Sequence, residues 1–267
     1  MTKRKKVVVL ADLHCGHRVG LCPPKYRYIT PDKYTPIREE LWELYTEMIE
    51  RQKPIDILLV NGDVIDGTAW RSAATESLTT DMQTQVDMAH ECIKICEPNH
   101  IVMTYGTAYH SAPDGQDWDM VLTKQMANDY PMKLKTCKIG GEEWIDVNGF
   151  IINMKHFTGR STIPHGRATP IAKDRLWNVL WAERNQCERA DVIIRSHVHY
   201  FFYCGEYDWL ALTTPALVGL GSKYGSRVPS ETIDFGIVYF DVLSDEDWTW
   251  GWDTILGETQ RTTPLSL

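Results

Sequence analysis

A chain of 267 residues, 43% of them apolar, can bury one substantial core and is expected to form a single domain. Its net charge of −8 argues against a broad grip on nucleic acid, and seven cysteines without a CxxC pair exclude a disulfide framework and a thiolate zinc site. No apolar stretch is long enough to span a bilayer, and Met1-Thr2-Lys3-Arg4-Lys5-Lys6 runs straight into a strand rather than a signal-peptide core, so no membrane partner and a cytoplasmic location are expected.

The first apolar run, Lys6–Ala11, is the β-branched segment expected at the centre of a parallel sheet, and it delivers Asp12-Leu13-His14. The polar, proline-rich stretch Leu21–Pro36 is too long for a simple turn and is read as a loop over the site. Thr35–Arg51 places Ile37, Leu41, Leu44, Tyr45 and Met48 on one helical face. A second strand, Ile55–Val60, delivers Asn61-Gly62-Asp63. A second helix, Ser77–Cys96, stops at Pro98, and a third strand, Ile101–Tyr105, ends at Gly106. The two periods alternate as in βαβ units.

Beyond about residue 131 strands dominate. Met132–Ile139, Glu143–Val147 and Phe150–Met154 read as a meander broken at Gly140-Gly141 and Asn148-Gly149, with His156 just after it. Pro170–Cys187 is predicted as a helix with Ile171, Leu176, Val179, Leu180 and Ala182 as its buried stripe. Asp191–Arg195 is a short strand leading into Ser196-His197-Val198-His199. Tyr200–Tyr207, Trp209–Leu212 and Gly236–Val242 are expected to complete a second sheet, and alternating Trp248, Trp250 and Trp252 mark an edge strand.

Five clusters of Asp and His therefore follow predicted strands, where open α/β sheets place their sites. Asp-x-His or Gly-Asp alone is ordinary turn and cap chemistry. Five such clusters, all of ligand types that borderline divalent metals prefer, point to a bound metal pair.

The order Asp12-x-His14, Gly62-Asp63, Gly106 to His110, His156 and His197-x-His199 resembles the calcineurin-like metallophosphoesterase superfamily, whose pattern is DxH, GD, GNH, H, GHxH. The resemblance spans Val7 to Val242. It implies an α/β fold, a four-layer α/β/β/α sandwich of two packed mixed sheets flanked by helices, with the di-metal site at strand C-termini. It further implies that Asp12, His14 and His199 hold one metal, His156 and His197 the other, and that Asp63 bridges them. The cofactors would be two divalent ions, Mn²⁺ first, with Fe, Zn, Co, Ni or Mg as alternatives. The implied activity is hydrolysis of a phosphodiester or phosphomonoester, a nucleotide or nucleic-acid substrate included, by attack of a metal-bridging hydroxide. The rival from another class is a non-catalytic scaffold on the same fold.

The chain departs from the family pattern twice. Gly106-Thr107-Ala108-Tyr109-His110 replaces Gly-Asn-His, a variant similar to one in phage and bacterial metallophosphoesterases, and it lacks the amide ligand. Thr107 or a water stands in for that ligand, or His110 coordinates instead of serving as the general acid that the resemblance implies. Ser196 replaces a family Gly, which asks its backbone to avoid positive φ. Beside the motifs, Trp70 and Arg71 are candidates to meet a base and a phosphate, and Arg160 and Arg167 to oppose phosphate oxygens. His17 is a candidate further ligand or partner of Asp12, and Asp66, three residues after Asp63, reads as an ordinary loop carboxylate, with a supporting group turned toward the metal pair as the alternative.

Overall fold

The computed structural model describes residues 3–70, 73–112, 115–129, 134–220, 232–261 and 264–267. In chain order the first half comprises β1 (Lys5–Leu10), α1 (Thr35–Gln52), β2 (Ile57–Asn61), α2 (Met82–Lys94), β3 (His100–Thr104), α3 (Ala108–Ser111), α4 (Trp118–Ala127) and β4 (Thr136–Gly140). The second half comprises β5 (Glu143–Val147), β6 (Phe150–Met154), α5 (Ala168–Ala182), β7 (Val192–Arg195), β8 (Phe202–Glu206), β9 (Trp209–Thr213), β10 (Phe235–Val242) and β11 (Trp248–Ile255). Among the described residues the strands form two mixed sheets, ordered β11-β10-β1-β2-β3-β4 and β5-β6-β7-β9-β8.

Strand alternation builds the layers. Val8 and Leu10 on β1, with Leu58 and Val60 on β2, join Leu41, Tyr45 and Met48 of α1 and Val86 and Ala89 of α2 in one core. Val7, Val9 and Leu59 point the opposite way and pack against Phe150, Ile152, Val192, Ile194 and Leu212 of the second sheet. A smaller outer cluster joins Ile171 of α5 to Ile193 and Ala211. The result is the four-layer α/β/β/α sandwich expected, with β1, β2 and β3 parallel at the centre of the first sheet and their C-termini on one edge.

Five points need correction. The first is α4, which the sequence reading omitted; its start is marked by Asp117, whose carboxylate accepts the Met120 amide at 2.8 Å. The second follows from it. A parallel pair needs a crossover, and α4 supplies one, so β4 pairs parallel with β3 rather than opening the meander. Third, β10 pairs antiparallel with β1 and so belongs to the first sheet, not the second. Being apolar on both faces, its sequence did not distinguish the sheets. Fourth, the predicted buried stripe of α5 is reversed. Ile171 is buried as expected, but with Arg175 and Asn178, whereas Leu176 and Leu180 face solvent. The second helix also starts later than predicted, at Met82 behind the Asp81 cap.

Candidate metal centre

Strand ends bring the clusters together through unusual backbone. Asp12, His14, Asp63, His197 and His199 all have positive φ, between 44° and 73°. Non-glycine residues avoid this region unless the surrounding structure enforces it, so these five converging residues are held there by the fold. Ser196 is not among the positive-φ residues, as its substitution for glycine requires. Two glycines make room: a Cβ on Gly62 would lie 2.4 Å from His156 Nδ1, and one on Gly106 2.4 Å from Asp63 Oδ1.

Three sets of side chains each bring ligand atoms within 4.8 Å of one another: Asp12, His14 and His199; His14, Asp63 and His110; and Asp63, His156 and His197. Their hydrogen bonds say which atoms face inward. His14 Nδ1 lies 3.2 Å from the Asp66 carboxylate, so that nitrogen carries the proton and the Nε2 lone pair faces His199 Nε2 at 3.2 Å. His156 Nδ1 donates to the Asn61 carbonyl at 2.7 Å, so its Nε2 faces Asp63 Oδ2 at 3.0 Å. Asp12 Oδ1, His156 Nε2 and His197 Nδ1 are buried without a hydrogen-bond partner. Carboxylate oxygens and ring nitrogens buried together at these distances suit a cation.

The electrostatics agree. Burial pulls His14 down to about 4, keeping it neutral and fit to ligate at neutral pH. Burial would raise Asp63, but His156, His197 and His110 together, through charge and hydrogen bonding, outweigh it and hold the carboxylate well below its usual range. Burial likewise disfavours charge on His156, yet Asp63 pushes it up to about 9. Asp63 and His156 would both be among the residues holding an ion, and its binding would compete with the proton that their pairing favours.

The divergent third cluster packs around Asp63, and His110 also belongs to one of the three ligand groups. Thr107 donates its amide and its hydroxyl to Asp63 Oδ1 at 2.7 and 3.1 Å. His110 Nδ1 donates to the Asp66 carbonyl at 2.7 Å, and its ring meets His14 edge-on at 4.6 Å. Asp66, read from sequence as a loop carboxylate, is buried and orients His14. Its signal was its position three residues after Asp63. Asp119 was missed along with α4. It accepts the Gly106 amide at 2.9 Å, has one buried oxygen without a partner, and is pushed up to about 7, chiefly by burial.

Behind the centre, a buried polar chain ties the two sheets. Thr104 donates to Asn61 Oδ1 at 2.6 Å, Asn61 Nδ2 donates to Ser196 Oγ at 2.6 Å, and Ser196 Oγ lies 2.7 Å from Thr214 Oγ1. Around the rim, Trp70 is 64% exposed and meets Tyr109 edge-on at 5.8 Å, and Tyr109 in turn meets His110 at 4.7 Å. Phe157, which the sequence reading did not single out, is 58% exposed and packs on His197 at 5.1 Å. Arg167 stacks over Tyr200 at 4.1 Å, next to His199. Arg160 is exposed on the loop after His156, and Arg71 lies outside the described residues. His17 sits 4.0 Å from the buried Glu76 and accepts the Val19 amide, apart from the three ligand sets.

A four-layer sandwich whose strand ends gather Asp and His ligand atoms into adjoining groups is the arrangement of a metallophosphoesterase fold. The calcineurin-like phosphoesterase family model matches residues 5–208, and the chain belongs to that family, whose members use divalent metals. No curated protein matches the sequence. Among solved structures, an archaeal phosphodiesterase is 10% identical with TM-score 0.45, covering 94% of this chain and 99% of its own. A single mutant of Vps29 from Entamoeba histolytica is 15% identical with TM-score 0.42 over 94% and 99%. A predicted phosphoesterase from Streptococcus pneumoniae TIGR4 is 11% identical with TM-score 0.40 over 95% and 91%. Among the described residues no helix is long and apolar enough to cross a membrane.

Proposed function

We propose that this chain is a two-metal phosphoesterase that hydrolyses a phosphodiester or phosphomonoester, with nucleotides and short single-stranded nucleic acids as the substrates its rim suits best. The observation that carries the reading is the convergence of Asp and His ligand atoms into three adjoining groups, two of which contain Asp63 and two of which contain His14. Asp12, His14 and His199 would hold one ion, and His156 and His197 the other. Asp63 would contribute to both, since a carboxylate has two oxygens to share. Bound there, Mn²⁺ or a similar divalent ion supplies Lewis acidity and lowers the pKa of a water at neutral pH.

The chain's own groups do the rest. Thr107 fixes Asp63 through two hydrogen bonds, which makes it an anchor of the shared carboxylate. With His110 Nδ1–H committed to the Asp66 carbonyl, the acid form of His110 carries its second proton on Nε2, from which it protonates the leaving oxygen. Arg160 and Arg167 oppose phosphate charge at the rim. Trp70 on one side and Phe157 on the other offer planar faces to groups flanking the phosphorus. The acidic chain disfavours long duplexes, so recognition rests on these local contacts.

The test is hydrolysis of a chromogenic aryl phosphodiester and phosphomonoester by Mn²⁺-loaded protein, with metal content measured in parallel. Turnover that falls roughly a thousand-fold or more in Asp63→Ala is expected. Unchanged turnover in that variant rules the assignment out. Fewer than one ion per chain at saturating Mn²⁺, with no hydrolysis, favours the scaffold.

A further inference from the structure

Helix α5 is built inside out. Its inward residues are polar: Asn178 Nδ2 donates to the Glu188 carbonyl at 2.8 Å, Asn178 Oδ1 accepts the Ala190 amide at 3.0 Å, and Arg175 donates to the Ala190 carbonyl. On its inner flank Asp174 holds Arg195 at 2.7 Å. The outward face carries Leu176, Trp177, Leu180 and Trp181, which are 58, 52, 44 and 46% exposed. Directed polar bonds fix the helix rotation, so this is no frayed end. Beside it, Trp177 and Trp181 form one wall of a groove of about 380 Å³ whose other wall includes Trp144 on β5 and Lys155 after β6.

Two half-exposed Trp and two half-exposed Leu present on the order of 400 Å², within the roughly 300–600 Å² at which a monomer's largest apolar patch is often functional. We propose that the occupant of this face is a second copy of the same chain, related by a two-fold axis with the α5 helices antiparallel. The arrangement of the helix supports this choice. An antiparallel pairing that sets Leu176 against Leu180 of the other copy also sets Lys173 against Glu183, two exposed residues of opposite charge at the two ends of the apolar stretch. A closed isologous contact satisfies both pairs twice. Two such patches bury roughly 800 Å², and the groove walls bring the total toward the about 1,200 Å² lower edge of stable interfaces. The dimer is therefore reversible, with a dissociation constant on the order of micromolar.

Sedimentation of the full chain across a concentration series reads this directly. The mass is expected to move from 30.7 kDa toward twice that value by about 100 µM, well above such a dissociation constant. Leu180→Glu should hold the chain at the monomer mass with unchanged circular dichroism, and with unchanged aryl phosphodiester turnover if the protein is a phosphoesterase. Lys173→Glu should weaken the dimer several-fold, and adding Glu183→Lys should restore it. A wild-type chain that stays monomeric overturns the proposal, and vesicle binding by that monomer would assign the face to lipid instead. A dimer that survives Leu180→Glu overturns it equally, as does a double charge swap that fails to restore what Lys173→Glu removed.

Discussion

The metal centre and the outer face of α5 break the ordinary rule of burial in opposite directions. At the centre, polar groups are buried without partners and the backbone is held at positive φ; on α5, four large apolar side chains face water while Arg175 and Asn178 are buried. Each departure is costly for an isolated chain, and each identifies what is missing from it. Unpaired acceptors want a cation, and unpaired apolar surface wants another apolar surface. Both departures also sit on rigid framework, so neither is a consequence of loose packing.

The comparison can be broken from either side. The largest effect is expected from metal itself: Mn²⁺ at a hundred-fold excess over its dissociation constant should stabilise folding by about 2.7 kcal/mol per site. Thermal unfolding with and without chelator checks it, and an unmoved midpoint would mean that the centre binds no ion. Next is Asp119. Its folded pKa of about 7 exceeds the usual 3.8, so the folded state holds an extra proton between those values and stability falls as pH rises through the window. In metal-stripped protein, Asp119→Asn should match the native chain near pH 4 and exceed it near pH 8, by on the order of 3 kcal/mol. A pH dependence that the substitution leaves intact would contradict the assignment. Smaller again, Asn61→Ala removes the Asn61 partner of Thr104 and one of the two partners of Ser196 and should cost roughly 1–3 kcal/mol in denaturant unfolding. Smallest is Leu180→Ser, which at submicromolar protein should change stability by less than about 0.5 kcal/mol, because that side chain packs little within one copy.

The same contrast explains how far the sequence could be read. The central strands were legible because β1, β2 and β7 are continuous apolar runs, and the residue after such a run lies at the strand end whatever the sheet order. That placed Asp12, His14, Asp63, His197 and His199 at strand ends, whereas their reading as ligands, with His156 after β6, came from the resemblance of the ordered motifs to the family pattern. Sheet membership was not legible: β10 is apolar on both faces and would suit either sheet, and β4 reads as part of a meander unless α4 is seen first. The rotation of α5 was hidden for another reason. Periodicity reports that a helix has an apolar face, but Arg175 and Asn178 reached carbonyl and amide groups near Ala190 that no local pattern announces. Asp66 and Asp119 show the same limit at the centre, since their partners, His14 and Gly106, lie far along the chain or behind an unseen helix.

The central claim is that two cations sharing Asp63 make this chain a phosphoesterase, and metal-dependent turnover of an aryl phosphodiester tests it most directly. Hydrolysis should appear on adding Mn²⁺ to stripped protein, rise until two ions per chain are bound, and be lost in Asp63→Ala. Full metal loading without turnover, or turnover that persists in the stripped protein, would contradict it.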